Sequence, residues 1–266
     1  MNQNRPTWSA FLIVFCSVIS ALIIGAIFGS MDTDLNTNGK PGTLTYFGMF
    51  IAQIFLIVPI LLLFRKSKLS ISKNLRINKV SKRVLFYSFI LSIGAIIISD
   101  EINIIFENIF PLPESFLQLE NILKPDNFFS FLLLSTTVVL IAPIGEELLF
   151  RGFLQQFLEK SWRDVTRAVL VSSLFFAFIH FNPYWVIQIY LLGILLGYIA
   201  WRTGSVIPSI IFHISVNGSS LLFTTFDDFV EPILLWKGHI NPILILSGIL
   251  LFGLGLKNIQ LNKASI

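Results

Sequence analysis

The sequence predicts an all-α fold, a polytopic membrane helix bundle of about eight transmembrane helices enclosing an intramembrane polar cavity. Three observations predict it. Of 266 residues, 55% are hydrophobic and only 13% charged, with a mean hydropathy of +0.80; soluble domains carry about 25% charged residues. The apolar residues fall in runs close to the ~20 residues that a helix needs to cross a bilayer. Three of those runs hold polar groups that lipid disfavours: Glu146, Glu147 and Arg151 in one, His180 at the end of the next, and His213 with Asn217 in a third. A charge at the bilayer centre is unfavourable by at least ~2.5–3.5 kcal/mol, so these residues belong on an interior, protein-lined surface.

The predicted spans are Trp8–Phe28, Leu44–Phe64, Val84–Ser99, Phe128–Phe150, Ala168–Phe181, Tyr184–Ala200, Val206–Thr224 and Ile240–Leu256. The first is too long for the ~7–15-residue apolar region of a secretion signal and reads as a retained helix. The chain divides into an N-terminal three-span region (1–127), a core that holds every polar span (128–224), and an outer loop with the last span (225–266). Cys16 is the sole cysteine, so no disulfide can close within the chain.

Loop charge predicts the orientation. Residues 65–83 hold Arg65, Lys66, Lys68, Lys73, Arg76, Lys79, Lys82 and Arg83 and no acid, which marks a cytoplasmic loop. Residues 100–127 hold Asp100, Glu101, Glu107, Glu114, Glu120 and Asp126 against Lys124 alone, which marks an outer loop. Counting spans from these anchors puts both termini in the cytoplasm, in what reads as a prokaryotic plasma membrane. The net charge of +4 reflects this asymmetry and is not a nucleic-acid signature. Within the acidic loop, Ile104, Ile105, Ile109 and Phe110, then Phe116, Leu119, Ile122 and Leu123, recur at helical spacing, as two short amphipathic helices on the outer surface would.

The segment Ile141–Leu154 reads IAPIGEELLFRGFL. Pro143 and Gly145 weaken the helix just before the acidic pair. Glu147 and Arg151, four apart, share a face and can pair, while Glu146 is turned about 100° from Glu147. One carboxylate is then neutralised and the other left free for chemistry. Phe176 and His180 are four apart, and the helix carrying them ends at Asn182-Pro183. His213 and Asn217 again share a face. If the fourth helix runs on to Lys160, Glu146 lies ~21 Å along it from the membrane surface, with His180 and His213 at ~20 and ~16 Å on their own helices. The three sites then reach a common level. Glu146 can act there as general base, with His180 orienting the water and His213 and Asn217 donating to an oxyanion. Glu146, His180 and His213 are also a set of zinc-ligand types, so a metal-activated water is a second route to the same reaction. Gly193 and Gly197 allow close helix contact in the bundle.

These three segments, in this order, resemble the CPBP family of intramembrane proteases, which includes the CAAX prenyl endopeptidase Rce1 and bacterial Abi-type proteins. The family pattern is Glu-Glu-x-x-x-Arg, Phe-x-x-x-His and His-x-x-x-Asn, matched by Glu146, Glu147 and Arg151, by Phe176 and His180, and by His213 and Asn217. The resemblance implies hydrolysis of a peptide bond in a membrane-associated peptide or protein. Glu146 and His180 would activate water, His213 and Asn217 would form the oxyanion site, and Glu147, Arg151 and Phe176 would support them. It implies either a metalloprotease or a metal-independent glutamate protease, which leaves zinc open. Two rivals account for part of the pattern. One is a proton-coupled transporter, since intramembrane carboxylates and histidines also relay protons. The other is a catalytically silent immunity or scaffold protein that works by binding.

Overall fold

The computed structural model describes residues 6–111 and 124–261. Helices dominate them: α1 (Trp8–Met31), α2 (Thr33–Asn38), α3 (Thr43–Lys66), α4 (Ile71–Asn74), α5 (Lys82–Ile109), α6 (Phe128–Trp162), α7 (Val165–Phe178), α8 (Val186–Thr203), α9 (Ile207–Thr225), α10 (Asp227–Leu234) and α11 (Pro242–Leu261). Strands β1 (Leu235–Trp236) and β2 (His239–Ile240) form a minimal antiparallel hairpin. Its two turn residues, Lys237 and Gly238, both have positive φ (54° and 80°), the backbone that tight hairpin turns require.

Among the described residues, seven helices are long and apolar enough to cross a membrane: α1, α3, α5, α6, α8, α9 and α11. The fifth predicted span, Ala168–Phe181, corresponds to α7, which is apolar but has only 14 residues. At 1.5 Å per residue it extends about 21 Å, short of a hydrocarbon core ~30 Å thick. The outer surface is inverted relative to a soluble protein. Phe15 is 61% exposed, Leu62 60% and Leu250 73%, while Glu147, Arg151 and His213 are buried. Lipid is the solvent that matches such a surface.

Among the described residues the bundle has a small apolar block around Tyr46, Leu134 and Leu221 and two large ones. In one, α1 and α3 pack on the second half of α6 through Val14, Ile60, Phe64, Leu149, Phe150 and Leu154. In the other, α5, α8, α9 and α11 meet around Leu91, Leu196, Ile199, Phe212 and Ile259. The polar residues of the core lie where α6, α7, α8 and α9 adjoin. The crossing of α5 and α11 is unusually close, because Gly94 faces the backbone of Phe252 and the carbonyl of Gly248. A Cβ at Gly94 would stand 2.6 Å from that oxygen. Gly94→Ala is therefore expected to push the helices apart and to destabilise the protein by about 1–3 kcal/mol, read by thermal unfolding in detergent; an unchanged transition would show that α11 can shift freely.

Boundaries differ from the sequence expectation where charge misleads. The third span does not stop at Ser99. α5 continues through Asp100 and Glu101 to Ile109, so the first amphipathic run is the last turns of a long helix. Helix geometry needs no apolar residue to propagate, and an acidic turn can extend beyond the hydrocarbon. Glu101 is also occupied. Its carboxylate accepts from His239 Nδ1 at 2.9 Å and from the Ile240 N–H at 2.8 Å, pinning the hairpin to α5. The second amphipathic run, Phe116–Leu123, lies outside the described residues. Between α1 and α3, Asp32 caps α2 and also accepts from the N–H of Gly42 and from both the N–H and the hydroxyl of Thr45. Burial alone would push this carboxyl up, but the hydrogen bonds outweigh it and hold it below the usual carboxylate value.

Candidate active site

α6 is one continuous helix of 35 residues, running past Lys160 to Trp162, which is the condition on which the depth comparison depended. It does not break at Pro143 or Gly145. It changes register instead, with π-helical turns at Thr136–Ile141 and Leu148–Gln155 on either side of the α-helical Ala142–Glu147. Proline lacks an N–H and its ring crowds the carbonyl four residues back. A wider turn ahead of Pro143 relieves that crowding without ending the helix. π-turns inside α-helices concentrate at functional sites, and here two of them bracket the acidic pair.

The pair divides as the spacing predicted. Arg151 Nη1 donates to Glu147 Oε1 at 2.7 Å, with both side chains fully buried. Arg151 is held from two further sides. Its Nη2 donates to the Gly193 carbonyl at 3.2 Å, and its guanidinium lies 4.1 Å over the Phe176 ring. Glu146, in contrast, has no hydrogen bond among the described residues; Oε2 faces His213 Nε2 at 3.9 Å, too far for a direct bond.

His213 connects the two carboxylates. Its Nδ1 lies 3.1 Å from the same Oε1 of Glu147 that Arg151 holds. A carboxylate is acceptor-only when ionised, so Nδ1 carries the proton, and Nε2 is turned towards Glu146. His180 sits on the turn after α7, where its Nδ1 is 2.7 Å from the Phe176 carbonyl. A carbonyl can only accept, so here too Nδ1–H is the donor and Nε2 is free to accept. α7 ends there because Asn182 Oδ1 takes the N–H groups of Tyr184 and Trp185, and Pro183 cannot continue a helix.

Phe176 is the hub. Its ring centroid lies 4.8 Å from that of His180, 5.8 Å from His213 and 5.4 Å from Phe150, all edge-on, with Arg151 over its face. Glu147, Arg151, Phe176 and His213 are thus joined by direct contacts from α6, α7 and α9, with Glu146 beside His213, whereas His180, exposed on the turn after α7, reaches the group through Phe176. Asn217 shares a face of α9 with His213, but its Nδ2 donates to the Val138 carbonyl at 3.0 Å. As a ligand set Glu146, His180 and His213 fall short: among the described residues no three of His, Cys, Asp and Glu are grouped so as to hold a metal ion.

Residues 128–219 match the family model for type II CAAX prenyl endopeptidase Rce1-like proteins. This stretch is Rce1-like. It spans α6 to most of α9 and includes every residue of the site. No curated protein and no solved structure matches the chain. The likeness covers about a third of the chain and is to a group of CAAX-protease-like intramembrane endopeptidases; with seven span-length helices among the described residues the chain is an integral membrane protein.

One part of the polar cluster within the Rce1-like stretch was not expected from the sequence. Gln155 is fully buried and donates from Nε2 to both the Gly197 carbonyl and Glu159 Oε1, at 2.9 Å each. Glu159 in turn pairs with Arg76. Residues 147, 151, 155 and 159 therefore form a polar ladder along one face of α6. Two of its rungs reach α8 carbonyls at Gly193 and Gly197, where a Cβ would stand 3.0 Å from Ser173 and 2.7 Å from Gln155 respectively. The signal was present as two matching four-residue spacings, Arg151–Gln155 and Gly193–Gly197.

Proposed function

We propose that the protein hydrolyses a peptide bond in a membrane-associated peptide or protein, with Glu146 as general base. The observation that carries this is the asymmetry of the acidic pair: Glu147 is tied to Arg151 and His213, while Glu146 is buried and has no hydrogen bond among the described residues. Glu146 takes a proton from water, whose oxygen attacks the scissile carbonyl. His180 Nε2 accepts the second water hydrogen and fixes its direction. Charge then develops on the carbonyl oxygen, and His213, held by Glu147, donates from Nε2 when protonated. As the tetrahedral intermediate collapses, Glu146 returns its proton to the leaving amine. In this reading the basic loop 65–83 faces the cytoplasm.

The test is cleavage of hydrophobic and prenylated peptides by purified protein in detergent, with Glu146→Gln and His180→Ala alongside. His180→Ala is expected to lower kcat by about 10²-fold. Cleavage that survives both changes would place the chemistry elsewhere. A cellular phenotype retained by both variants would favour a scaffold that acts by binding.

A further inference from the structure

The Val138 carbonyl is in an unusual position. In an α-helix its partner would be the N–H of Ala142, but that N–H donates to Thr137, one residue further back, in the π pattern. The next π-type donor would be residue 143, which is proline and has no N–H. Val138 is thus left without a backbone donor by two features of α6 acting together. A buried carbonyl in lipid surroundings is strongly unfavourable unless it finds a partner. The partner is Asn217 Nδ2, at 3.0 Å from the facing helix α9. The approach is built in. Gly218 has only hydrogen where a Cβ would stand 3.4 Å from Val139, and Leu221 on α9 packs with Leu134, Val138 and Val139 on α6.

We propose that Asn217 is a positioning residue: its amide supplies the donor that Pro143 withholds, and so locks the π-turn Thr136–Ile141. The turn matters to the site because of helix phase. One residue corresponds to about 100° of rotation, and a π-turn takes up extra residue length. Loss of the turn would rotate Glu146 and Glu147 relative to the half of α6 held by α3 and α9. The carboxylate facing His213 Nε2 would change. Asn217 therefore acts on catalysis through Glu146, using one of its two amide N–H groups on Val138, an inference that rests on Glu146 being the base.

A double-mutant cycle separates this role from that of an oxyanion donor. Pro143→Ala restores an N–H at the next position of the π series and gives Val138 a backbone partner. Wild type, Pro143→Ala, Asn217→Ala and the double variant would be compared for peptide hydrolysis and for thermal unfolding in detergent. Asn217→Ala is expected to lower kcat on the order of tenfold, with KM little changed, in the natural background, but by less than about threefold where position 143 is alanine. The loss of thermal stability should shrink in the same way. Equal losses in both backgrounds, on both readouts, would overturn the proposal and return Asn217 to the reacting carbonyl. If no variant, including wild type, cleaves a peptide, the protease reading fails while the coupling in thermal unfolding still decides whether Asn217 closes Val138. If Asn217→Ala does not fold, Asn217→Asp, of the same shape but without the N–H when ionised, takes its place in the cycle.

Discussion

Replacing Glu146 with glutamine is expected to reduce peptide hydrolysis by about 10²–10⁴-fold while leaving the unfolding transition close to that of wild type. The two halves of this expectation come from the same geometry. Glutamine has the shape of glutamate but cannot take a proton from water, so the base is lost. Because Glu146 makes no hydrogen bond among the described residues and only faces His213 at 3.9 Å, little of the fold depends on its charge. Glu147→Gln should differ in both respects. It removes the anion from a doubly used Oε1, and it leaves Arg151 and His213 without the group that orients them, so stability should fall along with activity. Hydrolysis and thermal unfolding measured on both variants would check the contrast. If Glu146→Gln keeps activity within about tenfold of wild type, general-base catalysis by this residue is wrong.

Removing Arg151 is expected to have the largest effect on stability. Arg151→Met should destabilise the protein by about 3–5 kcal/mol, because it leaves an uncompensated buried charge. The unfolding midpoint in detergent should fall on the order of 10 °C. The guanidinium neutralises Glu147, bonds the Gly193 carbonyl and covers the Phe176 ring. Lysine is therefore a poor substitute. Its single ammonium can reach Glu147, but it has no planar fork to serve Gly193 and stack on Phe176 at the same time. The combined Glu147→Gln, Arg151→Met variant should be more stable than Arg151→Met alone, since it removes the stranded anion as well. If the single and combined variants unfold at the same temperature, the pair is not what stabilises this region, and the Gly193 and Phe176 contacts are.

Much of this was legible without coordinates. Lipid imposes a strong and local rule, a run of apolar residues long enough to span, and so the seven long helices stand out in α1 through α11 wherever charge is sparse. The rule misreads ends. Asp100 and Glu101 resemble the start of a loop, yet the helix continues through them because backbone hydrogen bonding does not depend on side-chain polarity. The partition of the acidic pair was legible too, since Glu147 and Arg151 obey the fixed four-residue geometry of a helix and Glu146 does not share their face.

The rest is set by partners far apart in the chain. That His213 bonds the carboxylate already held by Arg151, that Phe176 lies between two imidazoles and a guanidinium, and that Gln155 reaches Gly197 all depend on how α6, α7, α8 and α9 are rotated against one another. The register of α6 is the sharpest case. Pro143 announces that a carbonyl will lack a partner, but only packing against α9 decides which carbonyl it is and that Asn217 answers it. The sequence by itself determined a membrane bundle and the identity of its polar residues, because solvent preference and helix periodicity act over one or two turns. The tertiary structure alone decided which of those residues touch, because helix phase and interhelical hydrogen bonds are properties of several segments at once.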